Sequence, residues 1–357
     1  MSSLIRATID TQALRGNLRK VRERAPGARV MAVVKANAYG HGLVPAALTL
    51  SEADAFGVAR LEEGLILRSA GIHKTIVLLE GVFEREQLLE AARHGFELVV
   101  HDPAQIALLE SFGQPHRFVL WIKIDTGMNR LGFRPGEFKA AYERLGRLQP
   151  PPLEIRLMTH LARADERGDP MTAVQVARFR EAIRGLPCAT SISNSAGIFG
   201  ERIECDWVRP GLALYGASPF ADQRAADLGL QPAMTLQTTV IATRKVPAGE
   251  TVGYGATWRA PSDSNIAIVA AGYGDGLLRS LSNGAPVLID GCRAPLVGRV
   301  SMDMVAADVT HLPQVRAGSK ATLWGKGLAV EEIAGHASTV PYELLCGVRQ
   351  RVPHELI

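Results

Sequence analysis

Short apolar runs alternate with stretches of three- and four-residue apolar spacing through roughly the first 215 residues. The runs fall at 30–34, 55–59, 75–79, 97–100, 118–124, 154–158, 189–193 and 203–208. The first, Val-Met-Ala-Val-Val, is apolar at every position, as a strand buried on both faces of a parallel sheet reads. Between the runs, 61–70, 85–93, 103–112, 137–148 and 171–184 carry the spacing of amphipathic helices. Eight β runs alternating with helices predict an α/β fold, a TIM-like (β/α)8 barrel closing near residue 215. An open doubly wound sheet is the other arrangement of this pattern. No Gly-x-Gly-x-x-Gly follows the first strand, which weakens its dinucleotide-binding form.

After about residue 230 the texture changes. Segments 235–246, 266–271, 285–289 and 304–309 are β-rich and separated by Pro-Ala-Gly-Glu, Pro-Ser-Asp-Ser and Ile-Asp-Gly turns. This predicts a C-terminal mostly-β domain over 226–357, after a barrel over 1–225, with 221–231 as the junction. At 357 residues, 47% hydrophobic and 21% charged, the chain can bury a sizeable core. The net charge of +4 is scattered rather than blocked, which excludes a nucleic-acid stripe and leaves small anionic ligands. Cys188, Cys205, Cys292 and Cys346 form no CxxC pair and have no histidine at zinc spacing, so no metal is expected. Free thiols, the lack of an apolar signal core and the absence of a membrane-length run predict a soluble cytoplasmic protein without membrane partners.

Catalytic groups of such barrels sit at the C-terminal ends of the strands. Polar residues just beyond the runs are Lys35, then Lys123 to Arg130, His160, Asn194-Ser195 and Arg209-Pro210-Gly211. A lysine leaving a buried strand is partly desolvated, which favours the free, nucleophilic amine. Such amines form Schiff bases with carbonyl compounds, pyridoxal phosphate among them. A primary amine, an imidazole and two arginines on one rim suit an anionic ligand bearing a carbonyl. Ser195 taken alone reads as a helix N-cap.

The segments AVVKANAYGHG, KIDTGMNRLGF, THLARAD, SNSAG, VRPGLALYG, VGYGATW, GYGDG, GRVSMD and PYE stand in the order found in bacterial alanine racemases. Nearly end to end, the chain resembles that family. The resemblance implies a pyridoxal 5'-phosphate enzyme that interconverts L- and D-alanine, as a homodimer with shared active sites. The D-alanine would serve peptidoglycan or alanine catabolism.

By the same likeness, Lys35 matches the lysine that forms the cofactor aldimine and then moves a proton on the face used by D-alanine. Tyr254 matches the second acid/base, acting on the L-enantiomer and entering the partner's barrel. A phenol with a free pKa of about 10 is a poor base at neutral pH, so Tyr254 needs cationic or hydrogen-bonding neighbours, with His160 the candidate. Arg209 falls where it would face the ring nitrogen. As a permanent cation it cannot accept that proton, so it weakens the ring as an electron sink.

The phosphate is expected near Ser195, Asn194, Gly211, Tyr39 and Tyr342, beyond the last two strands. Arg130 and the Met302 backbone N–H, the latter from the partner, match the substrate-carboxylate contacts. Lys123 matches a lysine that is carbamylated in many relatives and orients Arg130. Tyr273 resembles an entry-gate tyrosine, and Asp303 would support the Met302 loop. One departure is Leu278 before Arg279, where relatives often carry proline.

Three other functions fit parts of this pattern. A broader amino-acid racemase, acting on serine or larger side chains, shares the whole site. A decarboxylase of basic amino acids favours an acid at the ring nitrogen, against Arg209. A pyridoxal-phosphate carrier barrel lacks the β domain.

Overall fold

The computed structural model describes residues 3–201, 203–281 and 283–357. Its first strand, β1 (Arg6–Ile9), precedes the barrel. Eight parallel strands then close on themselves. They are β2 (Arg29–Val33), β3 (Ala55–Val58), β4 (Ile76–Leu78), β5 (Glu97–Val100), β6 (Val119–Lys123), β7 (Glu154–Met158), β8 (Thr190–Ser191) and β9 (Trp207–Val208). Closure is made by β2 and β9, with Arg29 opposite Trp207 and Val30 opposite Val208. The open doubly wound alternative is therefore excluded.

Alternation along β2 shows why that run is apolar throughout. Val30, Ala32 and Val34 pack outward with the helices. Met31 instead points into the barrel, with Val77, Val99, Trp121, Met158 and Trp207. The barrel floor also holds charge. The Arg156 guanidinium lies 5.1 Å from the Trp121 ring and 5.2 Å from that of Trp207. It pairs with Glu97 at 3.0 Å, and Trp121 Nε1–H donates to the same carboxylate at 2.7 Å. Burial pushes the Glu97 carboxyl upward, and Arg156 opposes the shift.

The second sheet is antiparallel apart from one parallel edge pair. Its members are β1, β10 (Met234–Val246), β13 (Ser264–Val269), β14 (Pro286–Ile289), β15 (Cys292–Val297), β16 (Val305–Asp308), β17 (Lys320–Trp324) and β18 (His354–Leu356). A separate hairpin is formed by β11 (Thr251–Val252) and β12 (Trp258–Arg259). Because β10 pairs with β17 over its first half and β13 over its second, the sheet curls back on itself. The residue-225 division takes no account of β1. That strand leaves the barrel's half of the sequence to pair antiparallel with β10 and parallel with β18. The chain's two ends are thereby stitched into one sheet. Its four residues are too few for periodicity to reveal.

Among the described residues, no helix is long and apolar enough to cross a membrane.

Candidate active site

Strand β2 ends in an unusual turn. Ala36, Asn37, Ala38 and Tyr39 all have left-handed φ, at 54°, 55°, 53° and 51°. Each such non-glycine residue costs roughly 1–2 kcal/mol, so the turn stands only where neighbours over-determine it. Glu63 supplies one constraint: its carboxylate accepts the Ala36 N–H at 2.7 Å and the Ala59 N–H at 2.8 Å, tying two barrel loops together. Asn37 Oδ1 accepts the Leu43 N–H at 2.8 Å. The turn directs Lys35 and Tyr39 into one cavity at the C-terminal end of the barrel.

That cavity has a volume of about 490 Å³, the size that takes a small cofactor with its substrate. Lys35, Lys123, Arg130 and Arg209 line it, against a single acidic side chain, Glu80. Four cations facing one carboxylate leave a deficit that an anionic ligand fills. His160, Asn194, Ser195, Gly211, Tyr39 and Tyr342 complete the parts assigned from sequence.

Electrostatics follow from the crowding. The Lys123 ammonium is pushed down to about 8 by desolvation, with Arg209, Arg130 and Lys35 adding repulsion. Burial, with Arg209 the foremost charge, holds the His160 imidazole well below its usual range. His160 is thus neutral and does not supply the cationic neighbour that the sequence allowed for Tyr254. Burial brings the Arg209 guanidinium down to about 10, which leaves it charged at neutral pH. Its Nη1 donates to Ser191 Oγ, and its Nη2 donates to the carbonyls of Thr159 and Ile192. That uses three of its five N–H donors and leaves the Nε–H and one Nη1–H for a ligand in the cavity that Arg209 lines.

Asn194, not Ser195, is the N-cap: its Oδ1 accepts the Gly197 N–H at 3.0 Å. Ser195 Oγ instead accepts from Gly211 N at 3.0 Å and Ala213 N at 3.2 Å. With both lone pairs engaged, the Ser195 hydroxyl hydrogen is free to donate. A Cβ at Gly211 would lie only 2.4 Å from the Tyr39 hydroxyl, so only glycine lets these walls approach. A primary amine at a strand end, a hydroxyl donor in a glycine-walled pocket and a guanidinium N–H fit a pyridoxal phosphate. They match its aldehyde, phosphate and ring nitrogen in turn.

Tyr254, Tyr273, Met302 and Asp303 do not line this cavity. Tyr254 is 71% exposed and Met302 54%, on the β domain. The loops of Tyr273 and Met302 meet there: Tyr273 N donates to Ser301 O at 3.0 Å and Gly274 N to Met302 O at 2.8 Å. Arg351 clamps the pair of loops by donating to Asp275 at 2.7 Å and Asp303 at 2.8 Å.

Sequence reading passed over three contributors. Gln175, fully buried, accepts the Ala162 N–H and donates to the His160 carbonyl, fixing the loop after β7. Glu63 and His41 brace the left-handed turn. Only His41 had a signal, as the histidine of the AYGHG segment.

Comparison with known proteins agrees with this geometry. The family profile described as alanine racemase, N-terminal domain, matches residues 9–219. The profile for the alanine racemase C-terminal domain matches 233–356. An alanine racemase of Shewanella piezotolerans is 46% identical over 353 residues, covering 99% of each chain. The crystal structure of the biosynthetic alanine racemase from Pseudomonas aeruginosa superposes with a TM-score of 0.97 at 42% identity, covering 100% of both chains. That of the Bartonella henselae alanine racemase, with covalently bound pyridoxal phosphate, gives 0.90 at 30% identity over 100% of both. With both family profiles matched in order and relatives aligned over nearly the whole chain, the protein belongs to the alanine racemase family.

Proposed function

We propose that this protein interconverts L-alanine and D-alanine, with pyridoxal 5'-phosphate as cofactor. The observation that carries the reading is Lys35, set just beyond a strand buried over its last four residues, in a cavity that Lys123, Arg130 and Arg209 also line. When bound, the cofactor supplies an aldehyde for amine condensation and a ring that accepts electrons from the substrate α-carbon.

Lys35 anchors the cofactor and, as a free amine, moves the α-proton on the face used by D-alanine. Tyr254 moves it on the opposite face. Its exposure, with that of Tyr273 and Met302, supports delivery into the cavity of a second copy in a homodimer, since an exposed apolar cluster marks an interface. Arg130 and the Met302 N–H of the partner copy hold the substrate carboxylate, while Tyr273 narrows the entrance. Ser195, Asn194, Gly211, Tyr39 and Tyr342 hold the phosphate, with the Ser195 hydroxyl as donor. Arg209 donates its Nε–H to the ring nitrogen and, being charged, leaves that nitrogen unprotonated. This restrains electron withdrawal and disfavours transamination.

His160 stays neutral beside these cations. Lys123, brought to about 8, holds enough free amine near neutral pH to take up carbon dioxide as a carbamate. The resulting negative charge would order Arg130. Asp303 steadies the Met302 loop through Arg351. A cytoplasmic setting belongs to the same reading, supported by four unpaired cysteines.

Polarimetry of the purified holoenzyme tests the activity. L-alanine and D-alanine should each lose optical rotation to the same racemic end point. Lys35→Ala should abolish both racemisation and the borohydride-sensitive cofactor absorbance. A Lys35→Ala protein racemising at the wild-type rate would refute the assignment.

A further inference from the structure

The four-residue left-handed turn that carries Lys35 and Tyr39 is braced from beneath by a side chain outside the cavity. His41 is fully buried. Its Nδ1 lies 2.8 Å from the Tyr39 carbonyl oxygen and 3.1 Å from that of Ala38, both within the turn. Two acceptors at one nitrogen require that Nδ1 carry the hydrogen, which fixes the tautomer. Nε2 is buried without a partner among the described residues, so the imidazole is retained there at the cost of an unsatisfied atom. Packing alone does not call for that, since a phenyl ring fills similar space without the orphan nitrogen.

The His41 ring also meets Tyr215, with centroids 4.6 Å apart, and Tyr215 stacks on Tyr39 at 4.7 Å. Tyr215 in turn donates its hydroxyl to the Val33 carbonyl at 2.9 Å, on the strand that delivers Lys35. From the other side His354 Nε2–H donates to the Gly40 carbonyl at 2.7 Å, tying the turn's exit to β18. Successive carbonyls of the turn are thus held by two imidazoles, and the aromatic chain connects His41 to the Tyr39 ring under Gly211.

We propose that His41 is a positioning residue for the reaction, acting through the Nδ1–H bridge to the Ala38 and Tyr39 carbonyls that keeps Lys35 and Tyr39 in the cavity. This rests on the reading of Lys35 as the cofactor lysine. Burial, the leading influence, lowers the imidazole to about 4, in keeping with a neutral donor.

Two variants separate bridge from bulk. Asparagine places an amide nitrogen the same number of bonds from Cα as Nδ1, so His41→Asn keeps the donor and loses the ring. His41→Phe keeps the ring and loses the donor. With folding checked by circular dichroism, both are titrated with pyridoxal phosphate, trapped with borohydride and assayed for kcat and KM. His41→Phe should bind cofactor about 10- to 100-fold more weakly and trap a smaller fraction at saturation. Its kcat should fall more than its KM rises, and His41→Asn should stay within about threefold of wild type. A Phe variant that traps and turns over normally overturns the proposal. So does an Asn variant that fails to fold or to trap cofactor, and if the Phe variant does not fold the Asn variant decides alone. A wild-type protein that traps cofactor without racemising alanine refutes the activity instead, and trapping in the two variants still tests His41.

Discussion

Replacing Gly211 by alanine tests whether the pocket wall is as tight as its geometry requires. The added Cβ would stand 2.4 Å from the Tyr39 hydroxyl and 3.0 Å from its Cζ, about 1 Å short of a comfortable contact. Gly211 has φ −119° and ψ −89°, so left-handed freedom is not what calls for glycine here. The cost is therefore steric. Tyr39 is stacked on Tyr215 and flanked by Tyr342 at 5.8 Å, so its hydroxyl gains room chiefly by moving into the cavity. Overpacking of this kind costs about 1–3 kcal/mol. If all of it falls on the loaded state, cofactor affinity drops about 5- to 150-fold. Fluorescence titration of the apoprotein with pyridoxal phosphate measures the loss, and thermal unfolding without cofactor measures any share borne by the fold. An alanine variant that binds within about twofold of wild type and melts at the same temperature would show that the wall yields freely, and the reasoning would fail.

Tyr254→Phe should slow proton removal from L-alanine more than from D-alanine, read as substrate deuterium exchange in each direction; equal effects would contradict a two-face scheme. Mixing Lys35→Ala and Tyr254→Phe subunits should restore activity, because a mixed dimer with shared sites has one cavity with both residues intact. At the barrel floor, Arg156→Met should lower stability by about 3–5 kcal/mol in urea titration, leaving the Glu97 carboxylate buried without its partner. Combining it with Glu97→Leu should recover most of that. In bicarbonate-free apoprotein, Lys123 is deprotonated above about 8 when folded but keeps its proton to about 10.5 when unfolded. The unfolded chain then binds more protons between those values, so this residue's contribution to stability rises with pH across that window and is flattened by Lys123→Met.

The barrel was legible because its signal is dense. A strand buried on both faces leaves no polar position, as 30–34 illustrates, and the helices between strands repeat their spacing over several turns. β15 and β17 left weaker traces, since Cys-Arg-Ala-Pro-Leu-Val and Lys-Ala-Thr-Leu-Trp mix exposed and buried positions around a proline or lysine. β8 and β9 shrink to two residues each, where the sequence predicts strands of five and six, because the ladder there is brief. In the site, Ser195 misled as a cap because Ser and Asn are interchangeable at that position by propensity. Only the approach of Gly211 and Ala213 shows which hydroxyl is engaged.

By itself the sequence determined that a lysine would emerge from a wholly apolar strand, that eight strands would alternate with helices, and that a β-rich unit would follow. These are local properties, written in the polarity of neighbouring residues. The tertiary structure decided what depends on distant segments meeting. It set Arg209 against Thr159, Ser191 and Ile192, and joined β1 to β18 across the length of the chain. It buried Lys123 in one cavity with three other cations, and desolvation first and their repulsion second drive its ammonium down; it also left Tyr254 outside the cavity of its own chain. Charge and hydrogen-bond partnership are fixed by separation in space, and no periodicity along the chain encodes that distance.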